Sequence, residues 1–106
     1  MASLRKEAMP ETMYRASRLF RVLGNPTAYL ILRSLGGGRK TPEEMSVELG
    51  IHPTTISGTL RNLRQVDLVR YLTSGRHKVY WLKETTIANL LDKAESLVDT
   101  MRTKRE

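Results

Sequence analysis

Between residues 24 and 53 the chain carries three glycine stops, each followed within a few residues by a proline placed to begin a new helix. They are Gly24-Asn25-Pro26, Gly36-Gly37-Gly38 ahead of Thr41-Pro42, and Gly50-Ile51-His52-Pro53. Glycine ends helices because, without a Cβ, it enters the left-handed conformation at no steric cost. Proline suits the first helical position, where its missing N–H leaves no bond unmade. Such a segment must fold as short helices joined by tight turns. Asn25 reads as the N-cap of one helix. Thr41 reads as the cap of the next, with Glu44 spaced to complete a capping box.

Apolar spacing supplies the remaining elements. From Pro10 onward, Met13, Ala16, Leu19, Phe20 and Leu23 recur at helical intervals with Arg15, Arg18 and Arg21 between them, which predicts a first helix over residues 10–24. Tyr29, Leu30, Leu32 and Leu35 make a short, largely buried second helix. Met45, Val47 and Leu49 supply the apolar contacts of a third, about two turns long. A fourth puts Ile56, Leu60 and Leu63 at i, i+4 and i+7 on one face. The third and fourth helices, residues 41–65, have helix-turn-helix spacing, with Gly50 in the turn. Leu68–Leu72 and Lys78–Leu82 are rich in β-branched and aromatic residues. Thr73–His77 between them reads as a turn with Gly75 at positive φ, so residues 68–82 form a hairpin. A last helix over residues 84–103 carries Ile87, Leu90, Leu91, Ala94, Leu97, Val98 and Met101 as an a/d stripe. The expected fold is mainly α with a β-hairpin wing. It is a winged helix-turn-helix in the order α-α-α-α-β-β-α, forming a single domain over residues 1–106. Residues 1–9 show little pattern.

The charge is placed unevenly. Of a formal net charge of +7, residues 1–52 carry +3, residues 53–83 carry +5 and residues 84–106 carry −1. A concentrated cationic field favours nucleic acid or an anionic membrane as partner. The longest apolar run, Ala28–Leu32, is far short of the ~20 residues that span a bilayer. Met1–Glu7 lacks the apolar region of a signal peptide. A soluble, cytoplasmic protein with no membrane partner is expected. There is no cysteine, which excludes disulfides, thiolate metal sites and cysteine nucleophiles. His52 reads as a turn residue and His77 as a polar hairpin residue. No metal ligand, catalytic residue or cofactor is expected. Gly36–Thr41 fails the spacing of a phosphate-binding loop and is preceded by a helix where a strand is needed.

With Ile56, Leu60 and Leu63 inward, helical phase turns Thr54, Gly58, Arg61 and Gln65 outward, flanked by Thr55, Ser57 and Asn62. Residues 53–65 contain no Asp or Glu, which an ordinary solvated helix would carry. An α-helix fits the major groove. There Arg61 could pair with guanine, Asn62 or Gln65 with adenine, and the hydroxyls with bases or phosphates. Arg76, His77 and Lys78 at the hairpin tip suit phosphate or minor-groove contact.

The ordered set of motifs resembles ArsR/SmtB-type repressors over about residues 16–83. Leu19–Thr27 resembles the alanine/glycine-x-proline-threonine motif, continued by Leu30–Leu35. Thr54–Leu63 resembles the family's recognition helix, and Asp67-Leu68-Val69 with Gly75–Leu82 its wing. MarR-like and PadR-like regulators share parts of the set. The resemblance implies groove contacts at Pro53, Thr54, Ser57 and Gly58. Pro53 stands where the family has a polar residue, and Gly58 where it has His or Arg. The family's metal sensors use a cysteine pair on the third helix or Asp/His sites on the last. Here Glu43–Leu49 has no cysteine, and the last helix offers Asp92, Glu95 and Asp99 without histidine. The carboxylates at that spacing are expected to be solvated.

The expected function is a homodimeric, sequence-specific regulator of transcription, a repressor on double-stranded DNA. The dimer interface would be Met13, Ala16 and Phe20 of the first helix with Leu90, Leu91, Ala94, Leu97, Val98 and Met101 of the last. That pairing sets two recognition helices about one DNA turn apart on an imperfect palindrome. The competing reading is a winged-helix module for protein assembly, which an acidic or apolar recognition face would favour. The residues name no effector.

Overall fold

In the computed structural model, which describes residues 9–104, seven elements follow one another. They are α1 (Glu11–Leu23), α2 (Pro26–Leu35), α3 (Pro42–Leu49), α4 (Pro53–Gln65), β1 (Val69–Ser74), β2 (His77–Leu82) and α5 (Thr86–Lys104). The order is α-α-α-α-β-β-α, as expected. Apart from Met9, the expectation for residues 1–9 lies outside the described residues.

The helix starts are closed as the sequence dictates. Asn25 Oδ1 accepts from the Ala28 N–H at 3.0 Å. Thr41 Oγ1 accepts from the Glu44 N–H at 3.1 Å, and Glu44 Oε1 accepts from the Thr41 N–H at 2.7 Å, a complete capping box. Gly50 ends α3 at φ +67, donating its N–H to the Ser46 carbonyl at 3.0 Å. His52 caps α4, its Nδ1 accepting from the Thr54 N–H at 3.1 Å. One ring nitrogen of His52 is therefore occupied locally.

The core is built where these short helices meet the hairpin. Ile31, Leu32, Met45, Ile56, Leu60, Leu63, Val69 and Leu91 are its fully buried side chains. Two expectations need correcting. Leu30 is exposed, and Ile31, one helical step of 100° further round, faces inward instead. Val47 is also exposed, because α3 has only eight residues and turns one narrow stripe, centred on Met45, toward the core.

The hairpin is tighter than expected. β1 and β2 pair antiparallel from Val69↔Leu82 to Ser74↔His77, leaving only Gly75 and Arg76 as the turn. Gly75 has φ +63 and Arg76 has no positive φ, the pattern of a type II′ turn. Outside the hairpin, Lys40 forms an antiparallel bridge to Tyr80, which joins the wing to the segment before α3.

α5 docks on α2 through both core and surface. Ile87 and Leu91 enter the core. On the rim, Arg33 Nη1 meets Asp92 Oδ1 at 2.7 Å, Arg33 Nε meets Glu95 Oε2 at 3.3 Å, and the Tyr29 hydroxyl donates to Glu95 Oε2 at 2.5 Å. These contacts correct two readings. Asp92 and Glu95 are ion-paired to Arg33 rather than merely solvated. Leu91, assigned to the dimer stripe, is 1 % exposed and belongs to its own protomer's core.

Candidate nucleic-acid interface

Burial of Ile56, Leu60 and Leu63 fixes the rotation of α4. Thr54, Thr55, Ser57, Arg61, Asn62 and Gln65 are consequently exposed on its outer surface. Gly58 lies half-buried among them. A Cβ built there meets nothing within 4 Å, so the packing of this chain does not require glycine at that position.

The structure separates these residues into three places. Thr54, Thr55, Ser57, Gly58 and Asn62 make up the exposed turns of α4. Gln65 lies at its far end, on a groove of about 410 Å³ shared with Arg15 and Arg18 of α1. Arg61 borders a cleft of about 110 Å³ between α4 and the hairpin.

That cleft also contains Ser57, Arg64, Tyr71, Lys78 and Tyr80. The Tyr71 and Tyr80 rings, cross-strand neighbours, are 5.2 Å apart between centroids and tilted by 35°. The Arg64 guanidinium lies 5.6 Å from the Tyr71 ring centre and Lys78 Nζ 4.9 Å from it, within range of cation–π attraction. Among the described residues, none of Arg61, Arg64 and Lys78 is paired with a carboxylate. Burial, then the neighbouring Tyr71, holds the Tyr80 hydroxyl above the ordinary tyrosine range, while Arg64 and Arg61 act against that shift.

The wing residues divide in a way that corrects the hairpin-tip expectation. Arg76 alone of the three sits in the turn. His77 opens β2, its Nδ1 3.7 Å from Glu43 Oε1 at the start of α3. Pairing runs two residues further along β1 and one further along β2 than expected, and Lys78, the second residue of β2, is turned into the cleft because it shares a face with Tyr80.

Arg64, Tyr71 and Tyr80 were not among the expected site residues. Strand alternation carried part of the signal: Lys78, Tyr80 and Leu82 share one face by the period of two. Arg64 follows Leu60 by four positions, so helical phase alone assigns it to the edge of the buried stripe. Only the position of the hairpin reveals what it faces.

On α1 and α5, Met13, Phe20, Leu97, Val98 and Met101 are each more than half exposed, and Ala16 is exposed as well. Leu90 and Ala94 are half-buried. No cluster of three or more potential metal-ligating side chains occurs among the described residues, and no helix there is long and apolar enough to cross a membrane. Lys40 is engaged away from the Gly36–Gly38 loop, its ammonium donating to the Ser34 carbonyl at 2.8 Å and pairing with Glu48 at 2.8 Å.

No protein-family model matches the chain. The HTH-type transcriptional regulator NmtR of Mycobacterium tuberculosis (strain ATCC 25618 / H37Rv) is 35% identical over 72 residues, covering 68% of this chain and 60% of NmtR. The chain thus spans about three-fifths of that relative's length. Rv0081 of M. tuberculosis superposes with a TM-score of 0.80 at 21% identity, over 92% of this chain and 98% of that one. The homodimeric winged helix-turn-helix DNA-binding domain (fragment 1-100) of Mb0332 from Mycobacterium bovis, a possible ArsR-family transcriptional regulator, superposes with a TM-score of 0.75 at 24% identity, over 93% of this chain and 91% of that one. With its element order, its helix-start pattern and these likenesses, the chain is an ArsR/SmtB-like winged helix-turn-helix, built without the cysteines of the family's metal sensors.

Proposed function

We propose that this chain is a homodimeric, sequence-specific DNA-binding regulator of transcription, a repressor that works in the cytoplasm on an imperfect palindrome and carries no enzymatic chemistry. The observation that carries this reading is the outer surface of α4. It presents Thr54, Thr55, Ser57 and Asn62 with no acidic residue from 53 to 65, next to a cleft bordered by three cations that pair with no carboxylate among the described residues. A helix of that width enters the major groove, where Asn62 has the donor and acceptor needed for adenine and the threonine methyls can meet thymine. Gly58, in open space, leaves the backbone free to approach the base edges. Arg76 in the wing turn is suited to a phosphate or the minor groove.

A second copy would cover the apolar side chains that α1 and α5 leave exposed. Met13, Ala16 and Phe20 would lie with Leu90, Ala94, Leu97, Val98 and Met101 in that interface. Leu91 is withdrawn from it, being spent in the core. Two linked recognition helices gain affinity through effective concentration, and their two-fold relation would be mirrored in the operator. The homodimeric DNA-binding domain of Mb0332 and the regulator NmtR support the assignment.

The experiment is footprinting on the DNA upstream of the protein's own gene. A protected, two-fold-related site is expected. Absence of protection there, together with equal binding to a scrambled duplex, would contradict sequence-specific recognition. Absence of binding to any duplex would favour the protein-assembly module instead.

A further inference from the structure

The cleft between α4 and the wing has more structure than a basic surface requires. Its cations come from two different elements, Arg61 and Arg64 from α4 and Lys78 from β2. Two of them are steadied against one aromatic ring, Tyr71. Tyr80 is 5 % exposed, yet among the described residues its hydroxyl makes no hydrogen bond to the protein, and it is not sealed from the cleft. The nearby carboxylate at the start of α3, Glu43, faces His77 instead. The hydroxyl therefore opens onto a cleft beside three cations that pair with no carboxylate among the described residues, so an anion entering it meets one free donor and three positive charges. The space, about 110 Å³, is several times the ~30 Å³ share of one water and admits a tetrahedral anion.

We propose that this cleft seats one backbone phosphate of bound DNA, neutralised by Arg61, Arg64 and Lys78 and oriented by the Tyr80 hydroxyl. The proposal rests on the DNA-binding reading and adds the place where the duplex is registered. The seat lies at the junction of the recognition helix and the wing. One phosphate held there fixes the depth of α4 in the groove and the approach of the hairpin together. It also changes the role of Arg61 from reading guanine to binding phosphate. Base readout then falls to Thr54, Thr55, Ser57 and Asn62.

The test is equilibrium binding of the purified full chain to a fluorescent mixed-sequence duplex across a KCl series. It compares wild type, Arg64→Ala, Tyr80→Phe and, as a reference outside the cleft, Arg76→Ala. Arg64→Ala should weaken binding and flatten the slope of log K against log salt by at most ~0.9 for each protomer engaged, since Arg61 and Lys78 still face the same phosphate. Tyr80→Phe keeps the ring in the core and removes only a neutral donor. It should lower affinity about tenfold for each protomer engaged with the slope unchanged, as loss of a hydrogen bond to a charged group predicts. Its thermal midpoint should match wild type, which separates lost contact from lost fold.

If wild type binds with a steep slope while Arg64→Ala and Tyr80→Phe both match it in affinity and slope, the phosphate seat is wrong and the DNA-binding reading survives. If wild type does not bind the duplex, both fall. A last arm adds inorganic phosphate at constant ionic strength. Saturable displacement of DNA from wild type but not from Arg64→Ala, at sub-millimolar phosphate, would make the site one for a free anion and overturn its assignment to the DNA backbone.

Discussion

Lys40 and Tyr80 exchange two backbone hydrogen bonds, the Tyr80 N–H to the Lys40 carbonyl at 2.8 Å and the Lys40 N–H to the Tyr80 carbonyl at 3.1 Å. The residue that closes the floor of the cleft is thereby tied to the segment immediately before α3. Thr41 then caps α3, so wing and helix-turn-helix share one short piece of backbone. This connection, together with the burial of Val69 and Leu82 in the core, ties the hairpin to the helices.

The cap can be tested apart from the cleft. Thr41→Ala removes the acceptor for the Glu44 N–H and breaks the capping box. It should cost about 1 kcal/mol of folding stability, read from urea denaturation. Because the same segment carries the Lys40 bridge to β2, amide exchange at Tyr80 should also accelerate. A variant as stable as wild type, with Tyr80 equally protected, would show that the cap does not anchor this connection.

The dimer stripe divides by side chain. Leu97 is exposed and Leu91 is buried in its own protomer. Leu97→Glu should therefore leave a folded monomer with weakened DNA binding, seen by light scattering and circular dichroism together. Leu91→Ala should cost about 2–5 kcal/mol of stability, as large-to-small changes in a core do. Wild type that is monomeric at micromolar concentration would remove the dimer from the account.

Acid should loosen the fold through paired carboxylates. Hydrogen bonds from Lys40 and Ser34 hold Glu48 below the ordinary glutamate range. Bonds from the Thr41 backbone and hydroxyl do the same for Glu44, and Lys83 does so for Asp67. A carboxylate depressed in the folded state contributes stability above its unfolded pKa and loses it as pH falls through the folded value. The urea midpoint should thus be flat near neutrality and drop below the ordinary carboxylate range. Glu48→Gln should reduce that acid-induced drop. An equal drop in both proteins would show that Glu48 contributes nothing to it.

Metal should have no effect on DNA binding. Asp92 and Glu95, the carboxylates on α5 nearest to a ligand set, are taken by Arg33 and Tyr29. His52 is held at the start of α4. Zinc at modest excess should leave DNA affinity unchanged. A zinc-dependent loss reversed by a chelator would place a site between protomers that a single chain does not display.

The helix-turn-helix was legible because each of its signals is local. Thr41 and Glu44 lie three residues apart, and Ile56, Leu60 and Leu63 declare their face by period alone. Legibility ended where a residue's neighbour comes from another element. The stripe on α5 is apolar along its length. Periodicity does not distinguish Leu91, covered by α2 and the core, from Leu97, left bare. Which of Arg76, His77 and Lys78 forms the tip depends on how far strand pairing runs, and pairing to Ser74↔His77 leaves Arg76 alone of the three in the turn. Arg64 lay hidden at the edge of the buried stripe until β1 and β2 were seen to pass beside it.

Every role proposed for α4 and the wing requires double-stranded DNA as their partner. The direct measurement is the wild-type dissociation constant across a salt series, on the duplex upstream of its own gene and on a scrambled duplex of equal length. Log K should fall steeply and linearly with log salt on both, with tighter binding to the upstream duplex at every salt concentration. Failure to bind either duplex at low salt would contradict those roles.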